Sequence, residues 1–380
     1  MHNVTVSSLG IPDAVLGRAR RVAADIGRRA AGLGGAVTVD ADEILTGRAG
    51  LLGLTPAGTT SAGGATRLLP TRDGWCALTL SRAEDVESVA ALLETTEQPI
   101  DHWTALADAA AEREAGEFVA RARLLDLPAA VLGESRRAPA RFVPNGIPAE
   151  RQISELLVAD LSSMWAGPLC GHLLAEAGAT VVKVESRTRP DGTRRGDPRF
   201  FDWMNAAKLS YATDFRADGL LPRLLEAADV VIEASRPAAL ARRGLGAEQV
   251  RGRPGRVWLR LTGYGTKGQR ANRVAFGDDA AVAGGLTAAG PIFVGDAIAD
   301  PLTGLAATHA VLDSLRRGGG EVVEVALAEV AAGYATEPLT VDPEGEAPPR
   351  IPALPRRPAA ALGAHNQRVH EIVETRLAAC

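Results

Sequence analysis

The clearest hydrophobic pattern in the chain lies between Val158 and Glu185. The short apolar run LLVAD is typical of a buried parallel strand, and LCGHLLAEAGA carries apolar residues at helical spacing until Gly178. TVVKVE then returns to β-branched residues. This order predicts strand, turn, helix and strand, which is half of a nucleotide-binding α/β unit.

The predicted turn, Ala166-Gly167-Pro168, carries no bulky side chain. Phosphate groups of a ligand could therefore approach the free amides at the start of the helix. The turn matches neither GxGxxG nor the Walker loop, so it does not indicate a plain dinucleotide or nucleoside triphosphate site. Taken alone, it is better explained as an ordinary packing turn.

The first 150 residues have a different pattern. A helix is predicted over Ala14 to Ala31, and a Gly/Ser/Thr-rich link follows at Thr55 to Gly64. TRDGWCALTLS predicts a strand followed by a helix through Glu94. A second helix is predicted near Asp108 to Leu125, before the strand-like LPAAVLG.

Composition narrows the class of protein. The chain has 380 residues, 46% of them hydrophobic, and a formal net charge of -4, which indicate neither a nucleic-acid footprint nor a membrane span. No basic segment precedes an apolar stretch at the start, so no signal peptide is predicted. Cys76, Cys170 and Cys380 lack metal or redox spacing, which favours a reducing cytoplasm.

Six segments in fixed order, from about Leu157 to Glu329, resemble the family III CoA-transferases. These CaiB/BaiF-type proteins include formyl-CoA transferase, carnitine CoA-transferases and α-methylacyl-CoA racemases. The segments are DLSSMWAGPLCGHLLAEAGATVVKVE, RGDPRF, NAAKLS, AADVVIEASRPAALARRGLG, RVWLRLTGYGTKG and ADPLTGLAATHAVLDSLRRGGGEVVEVAL. The resemblance implies an α/β fold with a Rossmann-like parallel-sheet large domain and a smaller α+β domain.

The resemblance also implies an unusual domain order. The DGW strand and LPAAV look like the family's small domain, which normally follows the large one. We therefore expect a permuted chain: a small-domain-like segment at 1-150, a large CoA-binding domain at 151-335, and a Pro-rich linker with a returning C-terminal helix at 336-380. The ending ALGAHNQRVHEIV supports the last part. Alternatively, the first 150 residues are unrelated and the small domain is lost.

By resemblance, Asp300 is the nucleophile that attacks an acyl-CoA thioester. This produces a mixed anhydride and then an aspartyl-CoA thioester, which a second carboxylic acid resolves. Spacing alone favours another role, because an aspartate before Pro301 is a normal N-cap with proline at the first helical position. The flanking match, in which Asp300 keeps its relation to Gly304, favours the nucleophile.

The resemblance also assigns contacts to coenzyme A, which is a substrate here and not a tightly bound cofactor. The predicted CoA-binding residues are Met164, Trp165, Ala166, Ser186, Arg187, Thr213, Arg216, Ala234, Ser235 and Arg242. Arg216 and Arg242 are the stronger choices because guanidinium groups bind phosphate bidentately, although a single arginine is by default surface charge. Two of the three lysines, Lys183 and Lys208, fall in the matching segments, by chance or because an ammonium lies near the phosphates.

Two alternatives to CoA transfer stay open. The racemases use a histidine in a GHD motif, but residues 275 to 279 contain none, and Arg82 stands where a further glutamate is expected. His172 and His309 are predicted to be structural. Gly277 replaces an aspartate common in the family, and Asp278 and Asp279 are either a shifted replacement or helix-capping residues. A drifted, non-catalytic CoA-binding protein is the other alternative.

The remaining expectations concern partners and the glycine-rich segments. The implied partners are an acyl-CoA, a free carboxylic acid and a second copy of the chain, since family members form homodimers. Thr60 to Gly64 is a candidate for the flap that covers the intermediate in some transferases. Gly318 to Gly320 is predicted to be a turn at a helix end.

Overall fold

The computed structural model describes residues 9–215, 219–236, 238–335 and 348–378. Its strands form two sheets, one of three and one of seven strands. The strands are β1 (Thr66–Thr71), β2 (Gly74–Thr79), β3 (Ala129–Val131), β4 (Arg141–Pro144), β5 (Leu157–Asp160), β6 (Thr180–Ser186), β7 (Leu209–Thr213), β8 (Val230–Glu233), β9 (Val257–Thr262) and β10 (Glu321–Ala326).

Helices pack on both faces of each sheet. They are α1 (Asp13–Ala31), α2 (Ala41–Leu52), α3 (Ala83–Glu87), α4 (Val89–Leu93), α5 (His102–Ala111), α6 (Ala115–Leu124), α7 (Ala166–Glu176), α8 (Pro198–Asn205), α9 (Leu220–Ala227), α10 (Ala238–Ala241), α11 (Gly277–Ala283), α12 (Ala299–Arg316), α13 (Leu327–Tyr334) and α14 (Asn366–Ala378). Short 3-10 turns lie at Ile153–Glu155, Gly192–Arg195 and Gly268–Asn272.

The seven-stranded sheet has the order β4-β10-β9-β8-β5-β6-β7. All neighbouring strands are parallel except β4, which pairs antiparallel with β10 at one edge. The inner strands β5, β8 and β9 are buried throughout, as their continuous apolar runs predict. The predicted α/β fold with a Rossmann-like parallel sheet is therefore confirmed.

Two hydrophobic cores flank the large sheet. One core joins α1, α7 and α12 to the sheet through residues such as Ile26, Leu169 and Leu305. The other joins α9 and α14 to the opposite face through residues such as Leu224 and Val373. This layering fixes the first residues of α7 and α12 near the carboxyl ends of the strands.

The three-stranded sheet is antiparallel, in the order β1-β2-β3, and has its own core against α4, α5 and α6. Its other face packs on α11, where Leu68 and Ala77 meet Val282 and Phe293. The small sheet therefore holds the helix that faces Asp300.

The prediction of a single helix near Asp108 to Leu125 is wrong. The structure has two helices, α5 and α6, because the chain between them turns to bond the β1–β2 hairpin. Arg72 N–H donates to the Arg113 carbonyl at 2.9 Å, and Ala115 N–H donates to the Asp73 carboxylate at 2.7 Å. The helix predicted through Glu94 is likewise two short helices, α3 and α4.

The C-terminal loop covers the β7 edge of the large sheet. The Ser210 N–H donates to His365 Nδ1 at 3.0 Å, and the Asn366 side chain exchanges two hydrogen bonds with the Ala212 backbone. These bonds replace the neighbouring strand that an edge lacks. Within the described residues, no helix is both long enough and apolar enough to cross a membrane.

Candidate active site

The order of the large sheet reverses between β5 and β8. From β5 the chain proceeds outward to β6 and β7, whereas β8 leads to β9 and β10 on the other side. Just after β5 ends, the Leu161 N–H still donates to the carbonyl of Ile232 in β8, at 2.9 Å. In open parallel sheets, ligands bind at such a reversal, beyond the carboxyl ends of the strands.

Asp300 lies in the first turn of α12 and does not cap that helix. The residue before the helix is Ile298, and the Asp300 N–H bonds to the Ala297 carbonyl at 2.8 Å. The Asp300 carboxylate accepts from the N–H of Gly277, the first residue of α11. The expectation that Asp300 caps α12 is therefore wrong, because its carboxylate accepts from the first N–H of α11 instead.

At the N-termini of α11 and α12, the carboxylate of each segment accepts a hydrogen bond from a backbone N–H of the other. While Asp300 accepts from Gly277, Asp278 Oδ1 accepts from the N–H of Ala297 at 3.0 Å. Asp278 Oδ2 also accepts from the Thr66 hydroxyl, at 3.3 Å. Backbone N–H groups at helix N-termini favour negative charge, so both carboxylates lie where anions are stabilised. Asp278 is thus a structural partner of the Asp300 loop and does not cap α11 itself.

Arg48, on α2, reaches this cluster from the N-terminal segment. Its Nη1 donates to Asp296 Oδ1 at 2.7 Å, and its guanidinium lies 5.5 Å from the ring centres of both Trp165 and Phe200. Asp296 is buried, with 1% of its side chain exposed. The guanidinium therefore joins the loop before α12 to the turn before α7.

Burial raises the pKa of several carboxyl groups around Asp300. The pKa of Asp300 rises to about 7, because protein atoms enclose its carboxyl group; the Arg48 charge and the Gly277 N–H oppose this rise. Burial, with the neighbouring Asp296 charge, raises the pKa of Asp278 to about 6. The pKa of Asp296 is also raised by burial, against the opposing charge of Arg48. Near neutral pH the cluster therefore holds fewer charges than its composition suggests.

Asp279 anchors the other side of α11. Its carboxylate accepts from the Phe276 N–H at 2.8 Å, the Thr79 hydroxyl at 3.3 Å and the Tyr264 hydroxyl at 3.3 Å. Burial raises the pKa of Asp279 to about 7. Asp279 thus ties α11 to the small sheet and to the loop after β9, and its bond to Phe276 is a capping interaction.

The turn between β5 and α7 is unusual in its backbone. Met164 adopts φ +73°, a left-handed conformation that is costly for a side chain of this size. The Asp191 carboxylate holds it by accepting the Met164 N–H at 3.2 Å. Trp165 is buried, yet its indole N–H has no hydrogen-bond partner in the described part of the chain. The turn therefore presents a strained backbone and an unused donor at the sheet reversal.

α12 brings Asp300 close to this turn. A Cβ atom on Gly304 would lie 2.6 Å from the Leu169 side chain and 3.0 Å from the Ala166 carbonyl oxygen. Only glycine therefore allows α12 to pack this closely on α7. Asp300 lies one helical turn earlier, about 6 Å along the axis, which accounts for the Asp300–Gly304 spacing.

Lys183 and Lys208 support the turn from below. The Lys183 ammonium donates to Asp191 and to the Ser162 carbonyl, both at 2.6 Å. Lys208 donates to Asp160 and to the Pro168 carbonyl, both at 2.8 Å. Both lysine side chains are at most 2% exposed. Neither ammonium reaches the surface, so their role here is to fix the loop and not to contact phosphate.

A scan of protein families matches residues 153–366, more than half of the chain, to CoA-transferase family III. The chain belongs to CoA-transferase family III.

Relatives match this family III chain over part of their length. Succinyl-CoA–D-citramalate CoA-transferase of Chloroflexus aurantiacus is 32% identical over 200 residues, which cover 47% of this chain and 50% of that protein. The probable fatty acyl-CoA transferase of Mycobacterium tuberculosis is 32% identical over 222 residues, covering 52% and 55%. The chain thus spans about half the length of the curated relatives it matches.

Solved family structures superpose in part. A hypothetical protein from M. tuberculosis gives a TM-score of 0.44 at 30% identity, over 50% of this chain and 56% of that one. A CAIB/BAIF family protein from Brucella suis gives a TM-score of 0.44 at 30% identity, over 48% and 54%.

The CoA-contacting residues predicted from the family resemblance line one edge of the sheet. Ser186 ends β6 and Thr213 ends β7, and the Arg187 N–H bonds to the Thr213 carbonyl at 3.1 Å. Ala234 and Ser235 follow β8, where the Ser235 hydroxyl donates to Glu233 at 3.0 Å.

These residues differ in their exposure. Thr213 is buried at 2% exposure, whereas Arg187 and Ala234 are exposed. Arg242 is exposed after α10, and Arg216 lies outside the described residues. Except for these two arginines, the predicted set lies on the carboxyl edge of β5 to β8, with Asp300 on the helix beside it.

The remaining predicted residues have clear places. The Thr60 to Gly64 segment borders the acidic cluster: Ser61 bonds to Asp278, and a Cβ on Gly63 would lie 4.0 Å from Arg48 Nη2. His309 Nε2 bonds to Asp25 at 2.6 Å on the α1–α12 interface, a structural role. Arg82 pairs with Asp85.

Sequence reasoning missed Arg48, Asp296 and Thr66. Arg48 and Asp296 are separated by 248 positions and Thr66 and Asp278 by 212, so local spacing cannot pair them. Arg48 is also one of 42 basic residues in the chain. The family match starts at residue 153 and gives no alignment for either Arg48 or Thr66.

Proposed function

We propose that this chain is a CoA-transferase that moves CoA from an acyl-CoA to a free carboxylic acid through covalent intermediates on Asp300. The observation that carries the proposal is the place of the Asp300 carboxylate. It lies between two helix N-termini, one helical turn from the residue that packs on the Ala166 turn.

The reaction balances as four acyl substitutions. An Asp300 carboxylate oxygen attacks the thioester carbonyl and expels CoA thiolate, which leaves a mixed anhydride. The thiolate then attacks the aspartyl carbonyl and releases the first acid, which gives an aspartyl-CoA thioester. The second acid attacks that thioester, expelling thiolate again, and the thiolate finally takes the new acyl group and frees Asp300.

The surroundings of Asp300 suit each substitution. A carboxylate is a weak nucleophile in water, and enclosure by protein removes the solvent that weakens it further. A pKa of about 7 leaves an ionised fraction near neutral pH while making the carboxylate more basic than usual. The N–H groups at the starts of α11 and α12 favour the oxyanion that develops on the attacked carbonyl.

The CoA arm is proposed to cross the sheet reversal. The Met164–Ala166 turn would contact the pantetheine, and the unused indole N–H of Trp165 is a donor for its amide or thioester oxygen. Ser186, Arg187 and Thr213 would lie along the nucleotide end, with Arg216 and Arg242 as phosphate ligands. Ala234 and Ser235 would border the same groove.

An exchange assay tests the function. Succinyl-CoA and other acyl-CoAs are incubated with a panel of labelled mono- and dicarboxylic acids, and new acyl-CoA is measured by chromatography. The proposal expects label in acyl-CoA with at least one pair, and none with Asp300→Asn. The control is Asp313→Asn, an aspartate in the same helix that pairs with Arg29 and Arg317.

The same assay separates the alternatives. A racemase-type isomerase would exchange the α-proton with deuterated water without a second acid. A non-catalytic CoA-binding protein would bind CoA equally with and without Asp300→Asn and turn over no pair. Either result would overturn the transferase proposal. The permuted domain order and a homodimer also stay proposals of the family resemblance.

A further inference from the structure

We propose that Arg48, supplied by the N-terminal segment, is a positioning residue for Asp300. It holds the loop that leads into α12 and supplies the cation that faces the carboxyl groups of the site. The inference deepens the proposed function and rests on it for the role of Asp300.

The geometry of Arg48 ties three parts of the site together. Its bond to Asp296 grips the loop four residues before Asp300, at 2.7 Å. Its guanidinium lies 5.5 Å from the centres of both the Trp165 and Phe200 rings, which meet edge-on with their centres 5.3 Å apart. Stacking on rings while bonding a carboxylate through its edge is an arrangement that arginine allows and lysine does not.

The loop from Gly295 to Asp300 has a constrained backbone. Gly295 adopts φ +65° and Ala297 φ +43°, both left-handed. A residue with a β-carbon, such as Ala297, keeps a left-handed backbone conformation only when the surrounding structure holds it. Its N–H bonds to Asp278 at 3.0 Å on one side, and Arg48 holds Asp296 on the other. Loss of Arg48 therefore frees one side of the loop that aims Asp300.

The charges around Asp300 make the cation necessary. Asp278 faces it from α11 and Asp296 from the loop, and both negative charges disfavour its ionisation. Arg48 is the opposing positive charge that acts on all three carboxyl groups. Without it, Asp300 would retain its proton to higher pH, and less of the nucleophile would exist at neutral pH.

The test is a titration of the Asp300 carboxyl group in the full chain. Aspartate labelled with ¹³C at the carboxyl carbon is incorporated, and the Asp300 signal is assigned by its absence in Asp300→Asn. In Arg48→Met the midpoint is expected to rise by about one pH unit relative to wild type. Arg48→Lys is expected to bring the midpoint most of the way back to the wild-type value, because lysine returns the positive charge. The recovery is incomplete because lysine does not return the ring contacts of the guanidinium.

Two further variants keep the result interpretable. Arg48→Gln retains a donor for Asp296 but no charge, so it replaces Arg48→Met if circular dichroism shows the latter unfolded. Arg20→Met is the matched control. Arg20 forms an ion pair with Asp42, with 2.6 Å between Nη2 and Oδ1, and this pair is not part of the Asp300 cluster. The Asp300 midpoint of Arg20→Met is expected to equal that of wild type.

An unchanged Asp300 midpoint in both Arg48→Met and Arg48→Gln would overturn the inference. In an active enzyme, the rising limb of kcat/KM against pH is expected to move to higher pH by the same amount. The titration needs no turnover: a shifted midpoint in a chain without CoA transfer would reject the proposed function and leave the role of Arg48 intact.

Discussion

The Asp300 carboxylate occupies the space that a side chain on Gly277 would need. A Cβ atom at position 277 would lie 2.5 Å from Asp300 Oδ2, and it would also collide with the Ala297 carbonyl oxygen. The glycine at this position therefore permits the observed half-buried position of the Asp300 side chain.

The first prediction follows from that contact. Gly277→Ala is expected to displace Asp300 and lower kcat of CoA transfer by about a hundredfold, since a shift of about 1 Å in a reacting group costs that much. Steady-state kinetics measure the loss. Gly116→Ala on α6 is the control, because a Cβ there meets nothing within 4 Å. Activity of Gly277→Ala within twofold of wild type, in a folded protein, would refute the steric account.

The second prediction concerns the buried pair beneath the turn. Burial opposes the ionisation of Asp160, but Lys208 and Lys183 outweigh it and hold the pKa of Asp160 below its usual range. Lys208→Met leaves this carboxylate buried without its main cation and is expected to cost about 3–5 kcal/mol of unfolding free energy. Urea denaturation followed by circular dichroism measures the cost.

Two comparisons sharpen the Lys208 measurement. Lys208→Met combined with Asp160→Asn removes both charges and is expected to recover part of the loss. Lys267→Met, at an exposed position, is expected to change stability by less than about 0.5 kcal/mol. A Lys208→Met variant as stable as wild type would show that the pair does not support the turn.

The third prediction is a pH dependence of stability. The folded-state pKa of Asp279 is about 7, against an ordinary value of 3.8, because the carboxyl group is fully buried. The folded protein therefore keeps a proton that the unfolded chain releases, and its stability falls as the pH rises from about 4 to about 7. Asp279→Asn removes the part of this dependence that Asp279 contributes, while Asp278 and Asp300 keep theirs.

Urea unfolding at pH 5 and pH 8 measures the effect. Relative to wild type, Asp279→Asn is expected to gain stability on going from pH 5 to pH 8, on the order of 1–3 kcal/mol. Asp313→Asn is expected to change stability equally at pH 5 and pH 8, because its arginine partners hold the pKa of Asp313 below its usual value and the group is ionised in the folded and unfolded chain at both pH values. If the unfolding free energy of Asp279→Asn differed from that of wild type by the same amount at pH 5 and pH 8, this would contradict a buried, protonated Asp279.

Much of the fold could be predicted from the sequence. Continuous apolar runs identified β5 and β6, and helical spacing placed α1 within one residue of its observed start. β4 was not predicted, because Arg141–Pro144 is short and partly exposed, and only its pairing with β10 makes it a strand. The split between α5 and α6 depends on the Asp73–Ala115 bond, which no local pattern signals.

The candidate site could be predicted only in part. The family motif pointed to Asp300 and to the Ala166 turn, and both lie at the sheet reversal. The partners of Asp300 come from distant segments: Gly277 from α11, Arg48 from α2 and Asp296 from a left-handed loop. Their pairing depends on the packing of α11 and α12, so it appears only in three dimensions.

The most direct test of the central claim is mass spectrometry of the protein after incubation with acyl-CoA. The account predicts a CoA adduct with loss of one water, located on the peptide that contains Asp300 and converted to a hydroxamate by hydroxylamine. The adduct is expected in Asp313→Asn and not in Asp300→Asn. An adduct that persists in Asp300→Asn, or its absence from wild type with every acyl-CoA tested, would contradict a covalent role for Asp300.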